Sequence, residues 1–159
     1  MRLRKKILGI MVAVLMVFGM LPSITVVGAS SGTTIDMSDL SPPASGDGWT
    51  FDNNVYTITG THVVTITGDN GGSQRRVAVG VGVTATVILD GVSITGLAVN
   101  QEGFLLNNGA TLTMNIASGT TNTFHGNNLR AAIQAPAGTT LIIDSGAGST
   151  LVAQGVWLV

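Results

Sequence analysis

A block that recurs three times at a regular interval constrains this chain more than any other feature. Residues 77–96, VAVGVGVTATVILDGVSITG, return in altered form from Phe104 and again from Ala131, so the three blocks are evenly spaced. Each block holds three short runs of strand-forming residues, with Gly, Asn or Asp at the corners between them. Such a period is typical of solenoids, in which each repeat is one structural unit that stacks on its neighbours.

The runs within the blocks alternate between apolar and polar residues, as expected for strands with one buried face. The next segments begin at Val83, Ala110 and Thr139, so the second step there is two residues longer than the first. The core columns that result are Ala85, Leu112 and Leu141, followed by Val87, Met114 and Ile143. Because a single coil cannot bury its own apolar face, neighbouring coils must bury these columns together.

This arrangement predicts an all-β chain folded as a parallel β-helix, with about three coils of 27–29 residues. An antiparallel β-sandwich is the alternative, because it also contains short strands at regular spacing. The threefold repeat of one register favours the β-helix.

Residues 1–29 have the organisation of a signal peptide. Four basic residues precede an apolar run at positions 7–21, and small residues at positions 27–29 provide a cleavage site before Ser30. A transmembrane anchor is the alternative, but a span needs about 20 apolar residues, and this run approaches that length only by including Pro22. We therefore expect a secreted or cell-surface protein with no membrane segment after cleavage.

The charge of residues 30–159 is acidic, with three arginines, no lysine and eight carboxylates, which gives a formal charge of −5. This balance excludes nucleic acid as a partner, since nucleic-acid binding needs clustered positive charge. It is compatible with a surface that binds cations or polysaccharide. The chain has no cysteine, so an exported domain must be stabilised by its core, by metal or by repetition.

Residues 30–48 are rich in Ser, Gly, Asp and Pro, and they are predicted to form a linker or the approach to a cap. The β-helix domain is predicted to occupy residues 49–159, with a first coil that includes residues 63–68, VVTITG. This segment is similar to residues 92–96, VSITG, in the following block, and the similarity suggests that the two are equivalent.

The two ends of the predicted stack differ. Trp49 and Phe51 are expected to close the first end, because terminal coils must cover unpaired backbone and apolar core. A platform for stacking sugar rings is the alternative role for this aromatic pair. At the other end the sequence stops soon after the third block, which suggests truncation from a longer surface protein or a cap improvised by Trp157.

A polar corner of variable length precedes the first strand of each block, and insertions in solenoids often collect on the binding face. This corner contains the three cations of residues 30–159, Arg75, Arg76 and Arg130. Arg76 and Arg130 each directly precede a block, so equivalent positions would place them two coils apart, about 10 Å along the stack. Each guanidinium could then bind a carboxylate of an acidic polysaccharide in a bidentate fork.

Carboxylate and amide side chains also recur at these corners and could supply the several oxygen ligands that calcium prefers. The candidate metal ligands are Asp69, Asn70, Asn100, Glu102, Asn127 and Asn128. The alternative is structural, since asparagine tolerates left-handed corners and stacks into amide ladders.

The sequence does not predict catalysis. Glycoside hydrolysis needs two carboxylates at a defined separation, and Asp90 and Asp144 fall at corners of different coils, where bonding to turn backbone is the simpler role. A lyase would need a base, and arginine binds uronates more readily than it removes a proton.

The runs VYTITGTHVVTITG, ILDGVSIT and LTMNIASGTTNTF resemble coils of the carbohydrate-binding β-helix domains found in secreted and cell-surface proteins of Gram-positive bacteria. The resemblance covers roughly residues 50–155. It implies a right-handed, calcium-supported parallel β-helix that binds plant cell-wall polysaccharide, such as acidic pectin or cellulose, without catalysis. The chain departs from that pattern by stopping after about three coils.

These observations together predict a non-catalytic carbohydrate-binding or adhesive module of an exported surface protein. The candidate sugar-binding residues are Arg75, Arg76, Arg130, Trp49 and Phe51. A fragment of a β-helix lyase or hydrolase, and a structural stalk without a ligand, are the alternatives.

Overall fold

A computed structural model of the chain describes residues 33–155, and within that range every regular element is a β-strand. The signal-peptide prediction for residues 1–29 and the capping role of Trp157 therefore lie outside the described residues. The strands are β1 (Thr34–Asp36), β2 (Ser45–Gly46), β3 (Trp49–Asp52), β4 (Val55–Ile58), β5 (Val63–Asp69), β6 (Arg76–Val79), β7 (Thr84–Ile94), β8 (Phe104–Leu106), β9 (Thr111–Ile116), β10 (Thr121–His125), β11 (Ile133–Gln134), β12 (Thr140–Ser145) and β13 (Thr150–Gln154). None of the described residues forms a helix that could cross a membrane.

The strands stack into a β-solenoid of about four turns, which confirms the predicted parallel β-helix. One sheet runs β2-β3-β4-β6-β8-β11, and the other runs from β1 through β5 and β7 to β9 and β10, then to β12 and β13. Every pairing from β4 onward is parallel. Antiparallel pairing joins only β2 to β3 and β3 to β4 within residues 33–155, so the alternative of an antiparallel sandwich is wrong.

The predicted core columns are present. Ala85 is the register partner of Leu112, which is in turn the partner of Leu141, and the column through Val87, Met114 and Ile143 has the same pairing. Leu112 and Met114 are fully buried because a coil lies on either side of each. Ile143 is 47% exposed because its coil has a neighbour on only one side among the described residues.

The register of the last coil differs from the sequence prediction. Phe104 pairs with Val77 as expected, but its partner in the following coil is Ile133 and not Ala131. The step from Phe104 to Ile133 is therefore two residues longer than predicted, and it equals the step from Leu112 to Leu141. The two additional residues have entered the corner before β11, because a corner can lengthen without changing which side chains face the core.

The first coil is shorter than the others. Val55 pairs with Arg76 and Val64 pairs with Val87, and both steps are shorter than the one from Val77 to Phe104. Residues 63–67 therefore pair with residues 86–90, and not with the similar residues 92–96. A β-bulge then shifts the register, so that Asp69 pairs with Ser93. Side-chain alternation shows which residues of a strand face the core, but it does not show which residue of the next coil is the register partner. The length of the corner between the strands decides that partner.

The first end of the stack is closed by residues 34–52. Strand β1 lies on β5, and Ile35 and the adjacent Met37 enter the core, so the predicted linker contributes a strand to the solenoid. Trp49, only 2% exposed, lies edge-on to Tyr56 with ring centroids 5.4 Å apart. A side chain at Gly46 would overlap this indole, which explains a glycine in the short strand β2. The aromatic residues thus pack as the capping interpretation expects.

Tyr56 makes the stability of the folded chain depend on pH in the alkaline range. Its burial raises the pKa to about 12, while nearby Arg75 lowers it and Asp39 and Asp36 raise it further. A raised pKa means that the folded state keeps the phenol proton more tightly than the unfolded state does. The contribution to stability is complete below about pH 10 and is lost as the pH rises from about 10 to about 12.

We therefore expect the free energy of unfolding to fall through that range, and Tyr56→Phe to remove this part of the fall. Denaturant titrations at several pH values measure it. Tyr56 is the single tyrosine of the chain, so phenolate absorbance follows its ionisation directly. An ionisation midpoint near pH 10 in the folded protein would contradict the expectation.

Candidate functional site

The polar corners stack into one column, as the sequence predicted. The side chain of Asn70 hydrogen-bonds Thr95 of the next coil through both its amide nitrogen and its oxygen, and Gln74 contacts Gly96 and Ala98. One coil further on, the Asn127 backbone N–H donates to the Gln101 carbonyl at 2.9 Å, and the Asn127 side chain donates to the Leu97 carbonyl at 2.6 Å. The corner side chains therefore bind one coil to the next.

Asn70, a predicted metal ligand, is fully buried and occupied by backbone groups. Its amide nitrogen donates to the carbonyls of Ser73, Arg75 and Thr95, and its oxygen accepts from the N–H groups of Gly72 and Thr95. Neither end of the amide is free for calcium, so the structural interpretation accounts for this residue.

Asp69, its neighbour, is exposed and interacts with Gly71 of its own corner and with Ser93 of the next coil. A hydrogen bond from the Ser93 side chain, supported by one from the Gly71 backbone, holds the pKa of the Asp69 carboxyl below its usual value. These contacts keep the carboxylate ionised at the edge of the bulge between β5 and β7.

Arg75, a predicted sugar-binding residue, is only 8% exposed. Its guanidinium donates to the carbonyl of Met37 at 3.0 Å and to the carbonyl of Asn70 at 3.4 Å. The side chain therefore connects the N-terminal cap to the first polar corner. It is not presented to an external carboxylate.

Arg76 and Arg130 are more accessible, but they do not occupy equivalent positions. Arg76 opens β6 and stands one residue before Val77, whereas Arg130 stands three residues before Ile133, the residue in the Val77 column. The predicted pair of stacked guanidinium groups is therefore wrong, because the lengthened last corner shifts Arg130 along the chain.

The later corner brings predicted metal ligands of two coils into one neighbourhood. Asn128 donates to the Asn100 side chain at 3.4 Å, which makes an amide ladder between adjacent coils. Both residues have positive φ, 64° at Asn100 and 51° at Asn128, as asparagine corners tolerate. Glu102 follows Asn100 in the same corner and is only 8% exposed.

A cavity lies at the capped end of the solenoid, and none of its lining residues belongs to the polar corners predicted to bind ligand. Its volume is about 230 Å³. The lining residues are Thr34, Asp36, Asp39, Pro43, Trp49 and Tyr56. It forms where β1 and the segment after it meet β3 and β4, so it combines two carboxylates with two aromatic side chains.

The carboxylates of this cavity are positioned by their own turns. Oδ1 of Asp36 accepts hydrogen bonds from the Ser38 N–H at 2.8 Å and the Ser38 hydroxyl at 2.6 Å, and Oδ1 of Asp39 accepts from the Ser41 N–H at 2.9 Å. The Tyr56 hydroxyl donates to the Asp36 carbonyl at 3.4 Å. The sequence prediction named Trp49 but not these carboxylates, although the repeated Asp-x-Ser spacing at residues 36–41 is a signal for such turns.

Trp49 and Phe51 pack against another aromatic ring, whereas stacking on a sugar needs a ring face that is open to solvent. Both contribute to the aromatic cluster with Tyr56, and Phe51 lies 4.5 Å from that ring between centroids. Trp49 lines the cavity yet is almost fully buried, so it does not offer an open ring face.

Asp90 and Asp144 remain apart. Asp90 is the register partner of Thr67, whereas Asp144 is the partner of Asn115 in another column. Among residues 33–155, no cluster of three or more His, Cys, Asp or Glu side chains is placed to hold a metal ion.

Comparison of the chain with protein-family models, curated proteins and solved structures finds no match in any of the three.

Proposed function

We propose that this protein is a non-catalytic carbohydrate-binding module that takes a neutral, cellulose-like sugar residue in the cavity at its capped end. The observation that carries the proposal is the lining of that cavity, where the carboxylates of Asp36 and Asp39 lie beside Trp49 and Tyr56. Binding sites for small ligands combine apolar walls with a few polar groups that fix orientation, and this lining has both.

The chemistry of the two carboxylates suits sugar hydroxyls. An ionised carboxylate accepts hydrogen bonds only, and a sugar hydroxyl can donate one. Oδ1 of each aspartate already accepts from its turn, which fixes the side chain and leaves the second oxygen for use elsewhere. Hydrogen bonds to charged acceptors are roughly twice as strong as neutral ones. Pro43, which is exposed, would then face the C–H groups of the sugar, and the buried side chains of Trp49 and Tyr56 would support the wall of the cavity.

Charge favours a neutral ligand over an acidic one. The cavity lining contains two carboxylates and no cation, so a uronate would meet repulsion there. The alternative site for uronates is weakened, because Arg75 is occupied by backbone carbonyls and Arg76 is out of register with Arg130. The cellulosic member of the two predicted polysaccharide classes is therefore preferred.

A binding role also agrees with the rest of the chain. The signal-like residues 1–29 support export, where cell-wall polysaccharide is encountered. Residues 30–159 contain no lysine that could serve as the base of a lyase.

We expect the chain to bind soluble cello-oligosaccharides, and Asp36→Asn with Asp39→Asn to weaken binding about tenfold or more. Each change replaces a charged acceptor by a neutral amide, at a loss of about 1 kcal/mol or more per hydrogen bond. Asparagine keeps Oδ1, so the turns at Ser38 and Ser41 are retained. Isothermal titration calorimetry with cellohexaose measures the change.

Asp144→Asn is the matched control, because Asp144 is exposed on β12, and β5, β7 and β9 lie between that strand and β1. It should bind like the unchanged chain. Oligogalacturonate in the same assay tests the acidic alternative, and reducing-sugar release tests the enzyme alternative. Equal binding by the double variant and the unchanged chain would contradict the cavity as the site, and no binding of any sugar would favour a structural stalk.

A further inference from the structure

We propose that Asn108 is a site of spontaneous deamidation, at which the corner between β8 and β9 gains a negative charge with time. An asparagine loses its side-chain amide when the backbone nitrogen of the next residue attacks it. A glycine in that next position hinders the attack least, because it has no Cβ. The chain contains two such pairs, Asn70-Gly71 and Asn108-Gly109. The two pairs are alike in sequence, and their surroundings in the fold separate them.

The reacting groups of the second pair are free. Asn108 and Gly109 are both exposed. Among residues 33–155, neither the Asn108 side chain nor the Gly109 N–H takes part in a hydrogen bond. The corner is closed by other groups, since the Ala110 N–H donates to the Asn107 carbonyl at 3.0 Å and the Gly82 N–H donates to the Asn108 carbonyl at 2.9 Å. The attacking nitrogen and the attacked amide are therefore both available.

The first pair is protected on both sides of the reaction. Asn70 is fully buried, and its amide is hydrogen-bonded to backbone groups of its own corner and of Thr95. The Gly71 N–H donates to Oδ1 of Asp69 at 2.6 Å, so the attacking nitrogen is also occupied. Attack at Asn70 must wait until this corner opens locally, and such openings are rare where contacts are buried.

The reaction at Asn108 needs only water. The Gly109 backbone nitrogen forms a bond to Cγ of Asn108, the bond from Cγ to Nδ2 breaks, and the nitrogen that leaves takes the Gly109 proton to become ammonia. Water then opens the cyclic imide. Attack at Cγ restores the main chain and produces an aspartate, whereas attack at the main-chain carbonyl carbon produces an isoaspartyl linkage through the side chain. Each route restores the Gly109 N–H and releases a proton from the new carboxyl group.

Both products add to the negative charge of residues 30–159, which is already acidic. They differ in the backbone, because the isoaspartyl linkage places one further carbon in the main chain of the corner. The hydrogen bond from the Ala110 N–H to the Asn107 carbonyl spans this position, so the isoaspartyl form is the one that disturbs the turn.

The test incubates the full chain at mildly alkaline pH, folded and in denaturant, in water enriched in heavy oxygen. The label marks molecules that react during the incubation, and peptide mapping by mass spectrometry measures each site. In the folded chain Asn108 should deamidate, and Asn70 should react at least about tenfold more slowly because it waits for a local opening. In denaturant the two sites should react at similar rates, since their neighbours in sequence are alike.

Asn108→Gln is the matched control, because it keeps the side-chain amide but must close a larger and less favourable ring. It should abolish the acidic species that ion-exchange chromatography resolves from the aged folded chain. An Asn108 that stays intact in the folded chain while it reacts in denaturant would overturn the proposal. Equal rates at the two sites in the folded chain, or the same preference for Asn108 in denaturant, would also overturn it. None of these readouts uses a sugar, so they are independent of the sugar-binding proposal.

Discussion

Replacing Leu112 with alanine should lower the free energy of unfolding by about 2–5 kcal/mol. Leu112 is fully buried in the column that joins Ala85 to Leu141, with a coil packed on each side. The side chain cannot be replaced by movement of its neighbours, because the parallel ladders fix the spacing of the coils. Chemical denaturation measures the change in stability.

Leu141→Ala is the matched control for this prediction. It removes the same atoms from the same column, but Leu141 is only partly buried because its coil is the last one described. The loss should be clearly smaller than for Leu112. Equal losses at the two positions would contradict the difference in burial between the inner and outer coils.

Replacing Asn70 with alanine should lower the free energy of unfolding by about 2–4 kcal/mol, although the residue is polar and lies at a corner. Its side chain satisfies the Ser73 carbonyl at 2.8 Å and both backbone groups of Thr95, at 3.0 and 3.1 Å. Removing the amide leaves these backbone groups without their partner, and each such group costs about 1–3 kcal/mol when it is buried. Thermal or chemical unfolding measures the loss.

Asn70→Asp keeps the shape of the side chain but removes its N–H donors, so it tests the hydrogen bonds separately from the packing. The aspartate would place an oxygen against the carbonyls of Ser73 and Thr95, so the loss should be at least as large as for alanine. Asn107→Ala serves as the control, because the Asn107 side chain makes a single hydrogen bond within the described range, to the Val79 carbonyl at 2.7 Å. It should cost about 1 kcal/mol. If Asn70→Ala were as mild as this control, Asn70 would not be the residue that holds its corner.

The parts of the fold that sequence reasoning predicted correctly are those governed by strand alternation. In β7 and β9 the buried and exposed positions follow from the alternating period alone, and the pairing of Ala85 with Leu112 follows from matching those periods. The aromatic pair Trp49 and Phe51 was also placed correctly at the closed end. An apolar stack must be covered somewhere, and these are the first large aromatic side chains after a polar segment.

The parts that sequence reasoning missed depend on corner length. The similarity of residues 63–68 to residues 92–96 suggested that Val64 lies beside Val92, but Val64 pairs with Val87. In the same way, the even spacing of the blocks predicts a strand that starts at Ala131, but the strand begins at Ile133. A corner residue contributes no alternation, so the chain carries no marker for how many residues lie between two strands.

The candidate sites show the same difference between local sequence properties and features that depend on distant residues. The sequence by itself determined that this chain is a stack of parallel coils with acidic and amide side chains at its corners, because hydrophobic periodicity and turn chemistry are local properties. Only the tertiary structure decided which of those side chains are buried and bonded to the backbone of other coils. Asn70 and Arg75 resemble ligand-binding residues in the sequence, but backbone carbonyls from other coils occupy them. Glu102 looks no different in the sequence, yet only 8% of it is exposed, and burial depends on residues far away along the chain.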